Sequence, residues 1–276
     1  MLKKTLKLFF SLLILTNYTY GAQSDYITYE WLIEIGATTN YTDHIPHWRR
    51  LFNTTKVRGL LECGCGFSTK YLLDNAEKVV SIEYVTPGYG DMWYRECLNL
   101  YADQTNWIPM LYNEEFRSNS FNNATAYQCA MHKDYALIDA AYLRELFQHF
   151  KSVINQAAAE GYPIDVAFVD PGLYVRGDLV KLLLAHKIPI IIAHDTASDN
   201  GNEESTNLYG WNKVYTPENY VKIYIPYGQG TTFWISNQLP DVIASIQDYR
   251  NDILLSREQG IEITYQELTK FADKVL

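Results

Sequence analysis

One stretch of the chain, residues 57–73 with the sequence VRGLLECGCGFSTKYLL, constrains the fold more than any other. Its apolar first half predicts a buried strand, and a loop with two glycines follows over residues 62–66. A helix is then predicted to begin at Ser68 or Thr69. A strand, a tight loop and a helix in this order are typical of the first unit of a Rossmann-like sheet.

The loop of this unit has the composition of a ligand site. Gly64 and Gly66 permit a tight turn and leave no side chain between the backbone and a bound group. Ser68 and the N–H groups of the first helical turn would face that group and favour a carboxylate or a phosphate. A second strand, over residues 79–82, leads into Glu83, where an acidic residue commonly binds the two hydroxyls of a ribose. The stretch therefore predicts a nucleoside-cofactor domain.

Two later strands also end in polar residues. The run IDVAFV is followed by Asp170, and the run IPIIIA is followed by His194 and Asp195. Nearly continuous apolar strands that alternate with helices predict a parallel sheet buried on both faces. Ligands of such sheets bind beyond the carboxyl ends of the strands. Because Glu62 and Glu83 also fall at strand ends, we expect these five side chains to form one site.

The whole pattern predicts an α/β fold with a Rossmann-like, doubly wound, mostly parallel sheet. Two runs over residues 220–225 and 231–235, joined by a loop with proline and glycine, predict a C-terminal antiparallel hairpin, and appended helices follow it. We predict four parts: a signal peptide over 1–22, an N-terminal helical cap over 23–56, the Rossmann-like domain over 57–236 with an insertion at 113–139, and C-terminal helices over 237–276.

The N-terminal segment has the layout of a secretory signal. Three lysines within the first seven residues precede an apolar run over 8–15, and small residues Gly21 and Ala22 follow. The apolar run is short for a bilayer span. We therefore expect cleavage near Gly21 or Ala22 and export to the periplasm, the medium or the lumen of the secretory pathway. An uncleaved membrane anchor is the alternative, and we expect no stable membrane span after cleavage.

Composition narrows the class of partner. A hydrophobic content of 47% is typical of a globular chain. The net charge is −9 and the sequence has no basic run, which disfavours a nucleic-acid partner because phosphate neutralisation needs clustered Lys and Arg. The C-terminal helices either pack on the domain or mediate a homodimer.

The run LECGCGFSTKYL, followed by VVSIEY, resembles motif I of class I S-adenosylmethionine-dependent methyltransferases. The resemblance implies that Glu62, Gly64 and Gly66 line the methionine half of S-adenosylmethionine (SAM), and that Glu83 binds its ribose. Thr69 stands where the dinucleotide fingerprint has its third glycine, which disfavours a nicotinamide-dependent oxidoreductase.

A second resemblance narrows the branch. The run DVAFVDPGLYVRGDLV, followed by IIIAHDT, is similar to small-molecule and sugar O-methyltransferases of this class. It implies methyl transfer from SAM to a hydroxyl, with His194 or Asp195 as the base. In metal-dependent members the aspartates at these two strand ends, here Asp170 and Asp195, hold Mg²⁺ or Mn²⁺. The third ligand in such members is a nearby Asn or Asp, whereas Thr196 follows Asp195 in this chain. The alternative role of Asp170, without a metal, is that of a carboxylate on the cofactor side of the site. The alternative function is a secreted binding or effector protein without transfer chemistry.

The cysteines and histidines lead to three further expectations. Of the four cysteines, Cys97 and Cys129 are the more plausible disulfide in an exported chain. A zinc site is not expected, because the sequence has neither a C-x-x-C motif nor clustered histidines. His44 and His47 precede the first strand, where they either overhang the cofactor site or serve the structure alone.

Overall fold

The computed structural model describes residues 42–84, 91–112, 140–171, 176–197 and 208–274. The predicted signal peptide, the first part of the N-terminal cap and the insertion at 113–139 lie outside these residues. Among the described helices, none is both long and apolar enough to cross a bilayer.

Seven strands and seven helices are described. The strands are β1 (Val57–Cys63), β2 (Ala76–Tyr84), β3 (Trp107–Tyr112), β4 (Ile164–Val169), β5 (Ile190–His194), β6 (Tyr220–Ile225) and β7 (Thr231–Ser236). The helices are α1 (Ile45–Thr54), α2 (Thr69–Asn75), α3 (Met92–Leu100), α4 (Ala140–Ala159), α5 (Arg176–Ala185), α6 (Pro240–Glu258) and α7 (Tyr265–Ala272).

The strands form one sheet in the order β3-β2-β1-β4-β5-β7-β6. The first five strands are mutually parallel, and β7 runs antiparallel to both β5 and β6. The predicted fold class, a Rossmann-like mostly parallel sheet closed by an antiparallel hairpin, is confirmed. The strand that continues the sheet beyond β5 is the second of the hairpin, β7, and β6 forms the edge.

The strand register sets where the polar residues lie. Cys63 at the end of β1 pairs with Ile82 on β2 and with Val169 on β4. The residues that directly follow these three are Gly64, Glu83 and Asp170. They therefore lie side by side at one edge of the sheet. β5 ends beside β4 at the same edge, since Val169 pairs with Ala193.

Apolar side chains cover both faces of the sheet. On one face, α4 and α5 contribute Phe150 and Leu183 among others, and on the other face α1 and α6 contribute Trp48 and Tyr249. Each fully buried side chain of this size stabilises the fold by about 1.5–3 kcal/mol. Because both faces are covered, the strands read as continuous apolar runs in the sequence.

The C-terminal helices pack on α1. The Arg49 guanidinium donates to both carboxylate oxygens of Asp273, at 2.5 and 2.8 Å, and Arg50 Nε donates to the Ser245 carbonyl at 3.2 Å. A Thr264–Glu267 capping box begins α7. A 3₁₀ segment spans Leu208–Lys213, between β5 and β6.

Candidate active site

The loop after β1 lies against the ends of two neighbouring strands. Gly64 has φ +92°, and a Cβ at this position would lie 2.5 Å from Pro171 Cα, just after β4. On the other side, the Cys65 N–H donates to Glu83 Oε2 at 2.8 Å. The predicted loop residue Gly64 and the predicted ribose-binding residue Glu83 are therefore brought together. A glycine is required at position 64 both for its backbone conformation and for the close approach to β4.

Glu62 lies beneath this loop in a buried hydrogen-bond network. Its Oε1 accepts from Thr69 Oγ1 at 2.8 Å, and its Oε2 accepts from Ser81 Oγ at 2.5 Å. Thr69 Oγ1 in turn accepts from the Gly66 N–H at 2.8 Å. These bonds explain why a threonine replaces the third glycine of the dinucleotide fingerprint: its hydroxyl links the loop to Glu62. Burial raises the Glu62 pKa to about 8, although the two hydroxyls lower it.

The raised pKa of Glu62 makes a testable pH dependence. As pH rises from about 4.5 to about 8, the unfolded chain loses a proton that the folded protein keeps, so the free energy of unfolding decreases. The decrease is about 1.4 kcal/mol per pH unit where it is steepest. We expect Glu62→Gln to remove this slope, measured by urea unfolding between pH 4.5 and 8. Glu77→Gln, an exposed change on the neighbouring strand β2, should keep the slope. An unchanged slope in Glu62→Gln would contradict the assignment.

The other predicted cofactor residues have more local roles in the described structure. The Gly66 carbonyl accepts from the Tyr101 hydroxyl at 2.6 Å. Ser68 is buried at the N-cap of α2, and its side chain makes no capping hydrogen bond.

A second polar cluster follows β4 and β5. Arg176, the first residue of α5, places Nη1 at 2.8 Å from Asp170 Oδ1 and at 2.7 Å from Asp195 Oδ2. The Arg176 side chain is buried, whereas Asp170 and Asp195 are 21% and 22% exposed. Asp195 has a left-handed backbone (φ +57°), a conformation that costs a non-glycine residue free energy and is common at functional sites. One guanidinium therefore bridges the two carboxylates that the sequence predicted as neighbours.

His194, at the end of β5, is surrounded by carboxylates. Its Nε2 lies 2.7 Å from Asp43 Oδ1, and its Nδ1 lies 3.5 Å from Asp170 Oδ2 and 3.6 Å from Asp195 Oδ1. Burial lowers the pKa of His194, but Asp170 and Asp43 outweigh burial and hold it well above its usual value. The raised pKa favours the imidazolium form of His194, whereas a general base must be neutral to accept a proton.

The predicted metal at Asp170 and Asp195 fits this arrangement poorly. Oxygens and nitrogens of Asp170, His194 and Asp195 do lie within 4.8 Å of one another, as metal ligands must. The position between the two aspartates, however, is taken by Arg176 Nη1. The guanidinium supplies one permanent positive charge between the two carboxylates.

The predicted Cys97–Cys129 disulfide is not present. Cys97 is a buried, free thiol, and Cys129 lies outside the described residues.

Sequence reasoning missed two residues of this site. Asp43 lies about 150 positions before His194, and no motif marks it, although it directly precedes the His44 that drew attention. Arg176 lies in the run DVAFVDPGLYVRGDLV, but the sequence assigned it no role. The available signal was an arginine at the start of the helix that follows a strand ending in Asp170.

Comparison with known proteins finds likeness in solved structures alone. No protein-family model matches the sequence, and no curated protein matches it. Similar solved structures include three methyltransferases: an O-methyltransferase from Bacillus cereus in complex with SAH (12% identity, 81% of this chain, 96% of that chain, TM-score 0.45), TomG from Streptomyces achromogenes, an O-methyltransferase in complex with SAM (11%, 81%, 94%, 0.42), and SAH-bound PaMTH1 from Podospora anserina (13%, 79%, 99%, 0.40). At these identities and TM-scores, function has to be inferred from the residues of this chain.

Proposed function

We propose that this protein transfers a methyl group from SAM to a hydroxyl of a small molecule or a sugar, in an exported compartment. The observation that carries the proposal is the junction of two half-sites at one sheet edge. The glycine loop with Glu83 contacts the segment just after Asp170, since Gly64 packs on Pro171. A nucleoside-type loop therefore lies beside a cluster of buried charge, as a cofactor beside a reacting group requires.

The residues around the loop suit SAM. Gly64 leaves backbone uncovered where a side chain would collide with β4, and Glu83 offers a carboxylate at the end of β2 for the ribose hydroxyls. Glu62 is buried under the loop, where its carboxyl oxygens accept hydrogen bonds from the hydroxyls of Thr69 and Ser81. Bound SAM supplies a methyl group on an already positive sulfur, so the protein has only to position the acceptor and remove its proton.

Asp195 is the base we propose for the acceptor hydroxyl. It is partly exposed, it lies at the sheet edge, and Arg176 and the strained backbone fix its orientation. His194, protonated and buried between Asp43 and Asp170, serves instead to hold positive charge beside the carboxylates. Such a fixed geometry contributes to catalysis by keeping the acceptor and base within hydrogen-bond reach.

Calorimetric titration with SAM, with its demethylated product SAH, and with NAD tests the cofactor. We expect micromolar binding of SAM and SAH and no binding of NAD. Glu83→Ala should lose the affinity, because it removes the carboxylate at the ribose position. Glu77→Ala, on the same strand but exposed in an ion pair with Lys56, is the matched control and should bind like the unaltered protein.

Two outcomes would contradict the proposal. If the folded protein bound neither SAM nor SAH, a non-catalytic binding or effector protein of the same fold would be the better account. If Glu83→Ala bound SAM as tightly as Glu77→Ala, the cofactor would lie elsewhere. Once an acceptor is known, unchanged turnover in Asp195→Asn would remove Asp195 as the base.

A further inference from the structure

Two adjacent residues, Asp43 and His44, meet His194, which lies about 150 positions later in the chain, beside the cluster just described. Donor atoms of Asp43, His44 and His194 all lie within 4.8 Å of one another. Asp43 Oδ1 is 2.7 Å from His194 Nε2 and 3.8 Å from His44 Nδ1, and the two imidazole rings are 4.5 Å apart between centroids. The histidine clustering whose absence argued against zinc in the sequence is thus created by the fold.

His44 is the unexplained member of this group. Its side chain is fully buried, yet neither Nδ1 nor Nε2 has a hydrogen-bond partner. Burying an imidazole whose two nitrogens both lack a hydrogen-bond partner destabilises the folded protein. Phe168 packs against the ring at 5.0 Å between centroids, so this side of the group is apolar. An ion beside Asp43 would give the Nδ1 of His44 the partner that it lacks.

The surroundings of His194 match those of a metal-ligating histidine. Such a histidine usually presents its second ring nitrogen to a carboxylate, which fixes the ring and raises its basicity. With Nε2 directed at Asp43 and His44, the opposite nitrogen, Nδ1, faces Asp170 and Asp195 at 3.5 and 3.6 Å. Asp43 is itself oriented, because its Oδ2 accepts from the Gln229 N–H at 2.9 Å.

Charge is consistent with a divalent ion at this place. Asp43, Asp170 and Asp195 bring three negative charges, and Arg176 returns one positive charge. With His194 neutral, as a ligand must be, the cluster carries −2. A divalent cation would make it neutral, which matters because unbalanced charge is expensive in a buried site.

We propose that Asp43 Oδ1, His44 Nδ1 and His194 Nε2 bind a divalent transition-metal ion of the Zn²⁺ type. Two imidazoles and one carboxylate suit such an ion better than Mg²⁺, which prefers oxygen ligands. Asp43 and His44 directly precede α1, while His194 ends β5, so the ion clips the N-terminal segment to the sheet edge. The site shares His194 with the neighbouring charge cluster, and the bound ion would take the place of the proton on His194 Nε2. It is distinct from the position between Asp170 and Asp195 that Arg176 fills.

Cobalt(II) titration of the tag-free, folded protein at pH 7.5 tests the site, with visible absorption to report nitrogen ligation. We expect one Co²⁺ per chain, displaced by one Zn²⁺, and no competition from Mg²⁺. Zn²⁺ at about 100 times its Kd should raise the thermal unfolding midpoint by about 5 °C or more. His44→Ala should weaken binding at least about 100-fold, more than loss of an outer partner does.

The controls separate this site from chance binding and from loss of structure. His186→Ala removes a half-buried histidine that stacks on Phe147, and it should leave Co²⁺ affinity unchanged. His44→Gln keeps a polar side chain of similar reach; it should fold, by circular dichroism, and still lose the ion. No Co²⁺ or Zn²⁺ binding by the folded protein would overturn the proposal and leave His194 as an imidazolium between carboxylates. Unchanged binding in both His44 variants would overturn it as well. These readouts do not involve SAM, so they stand apart from the cofactor test.

Discussion

Gly64→Ala should destabilise the protein by about 2–5 kcal/mol and abolish SAM binding. The added Cβ would lie 2.5 Å from Pro171 Cα and 2.7 Å from the Asp170 carbonyl oxygen, both backbone atoms that cannot turn away as a side chain can. Forcing such an overlap costs about 1–3 kcal/mol, and the left-handed backbone adds about 1–2 kcal/mol for any residue with a Cβ. Urea unfolding measures the first effect and calorimetry with SAM the second.

Gly161→Ala is the matched control for this prediction. Gly161 has nearly the same backbone conformation (φ +90°), but a Cβ there would meet nothing within 4 Å. It should therefore show the conformational cost of about 1–2 kcal/mol without the overlap, and SAM binding should persist. Equal stability losses at the two positions would mean that the loop does not press against β4. The junction on which the proposed function rests would then be wrong.

The fold was predictable because its determinants are local. Strand β4 reads IDVAFV and β5 contains III. Nearly continuous apolar runs of this kind need burial on both faces, which is typical of the interior strands of a parallel sheet. Glycines at 64 and 66 place the tight loop, and the Thr264–Glu267 capping box marks the start of α7 directly. Strand ends then follow from the sheet: parallel strands present their carboxyl ends at one edge, so Glu83, Asp170 and His194 had to be near each other.

The composition of the charge cluster was not predictable in the same way. Asp43 reaches His194 across about 150 residues, and no spacing in the sequence encodes a contact that α1 makes by packing on the sheet. The same applies to Arg176: the chain shows an arginine at the start of a helix, but only the structure shows its guanidinium between two carboxylates. A metal between Asp170 and Asp195 was therefore a reasonable prediction from two strand ends. The Arg176 side chain, which occupies the position between them, argues against it.

Arg176→Met should lower the free energy of unfolding by about 3–5 kcal/mol at pH 7, because it leaves Asp170 and Asp195 facing each other without their cation. Burial disfavours the charged form of Asp170, but Arg176 and His194 together lower its pKa below the usual value. In the unaltered protein, the Asp170 carboxylate therefore stabilises the fold fully at pH values above the pKa that Asp170 has in the unfolded chain. This stabilisation is lost as pH falls through the lower pKa that Asp170 has in the folded protein. Without Arg176 the pKa rises and protonation relieves the repulsion, so the stability gap should be largest near pH 7 and smaller near pH 4.

Arg58→Met separates this effect from loss of any arginine–aspartate pair. Arg58 also donates to both oxygens of one carboxylate, that of Asp165, but its side chain is 54% exposed, and water replaces the lost bonds. It should change stability little and show no growth of the effect from pH 4 to pH 7. Adding Asp195→Asn to Arg176→Met should restore part of the lost stability, since one of the two unpaired charges is removed. Two outcomes would contradict the role of Arg176 as the cation that stabilises this edge of the sheet. Arg176→Met could be as stable as Arg58→Met, or Asp195→Asn could restore no stability to Arg176→Met.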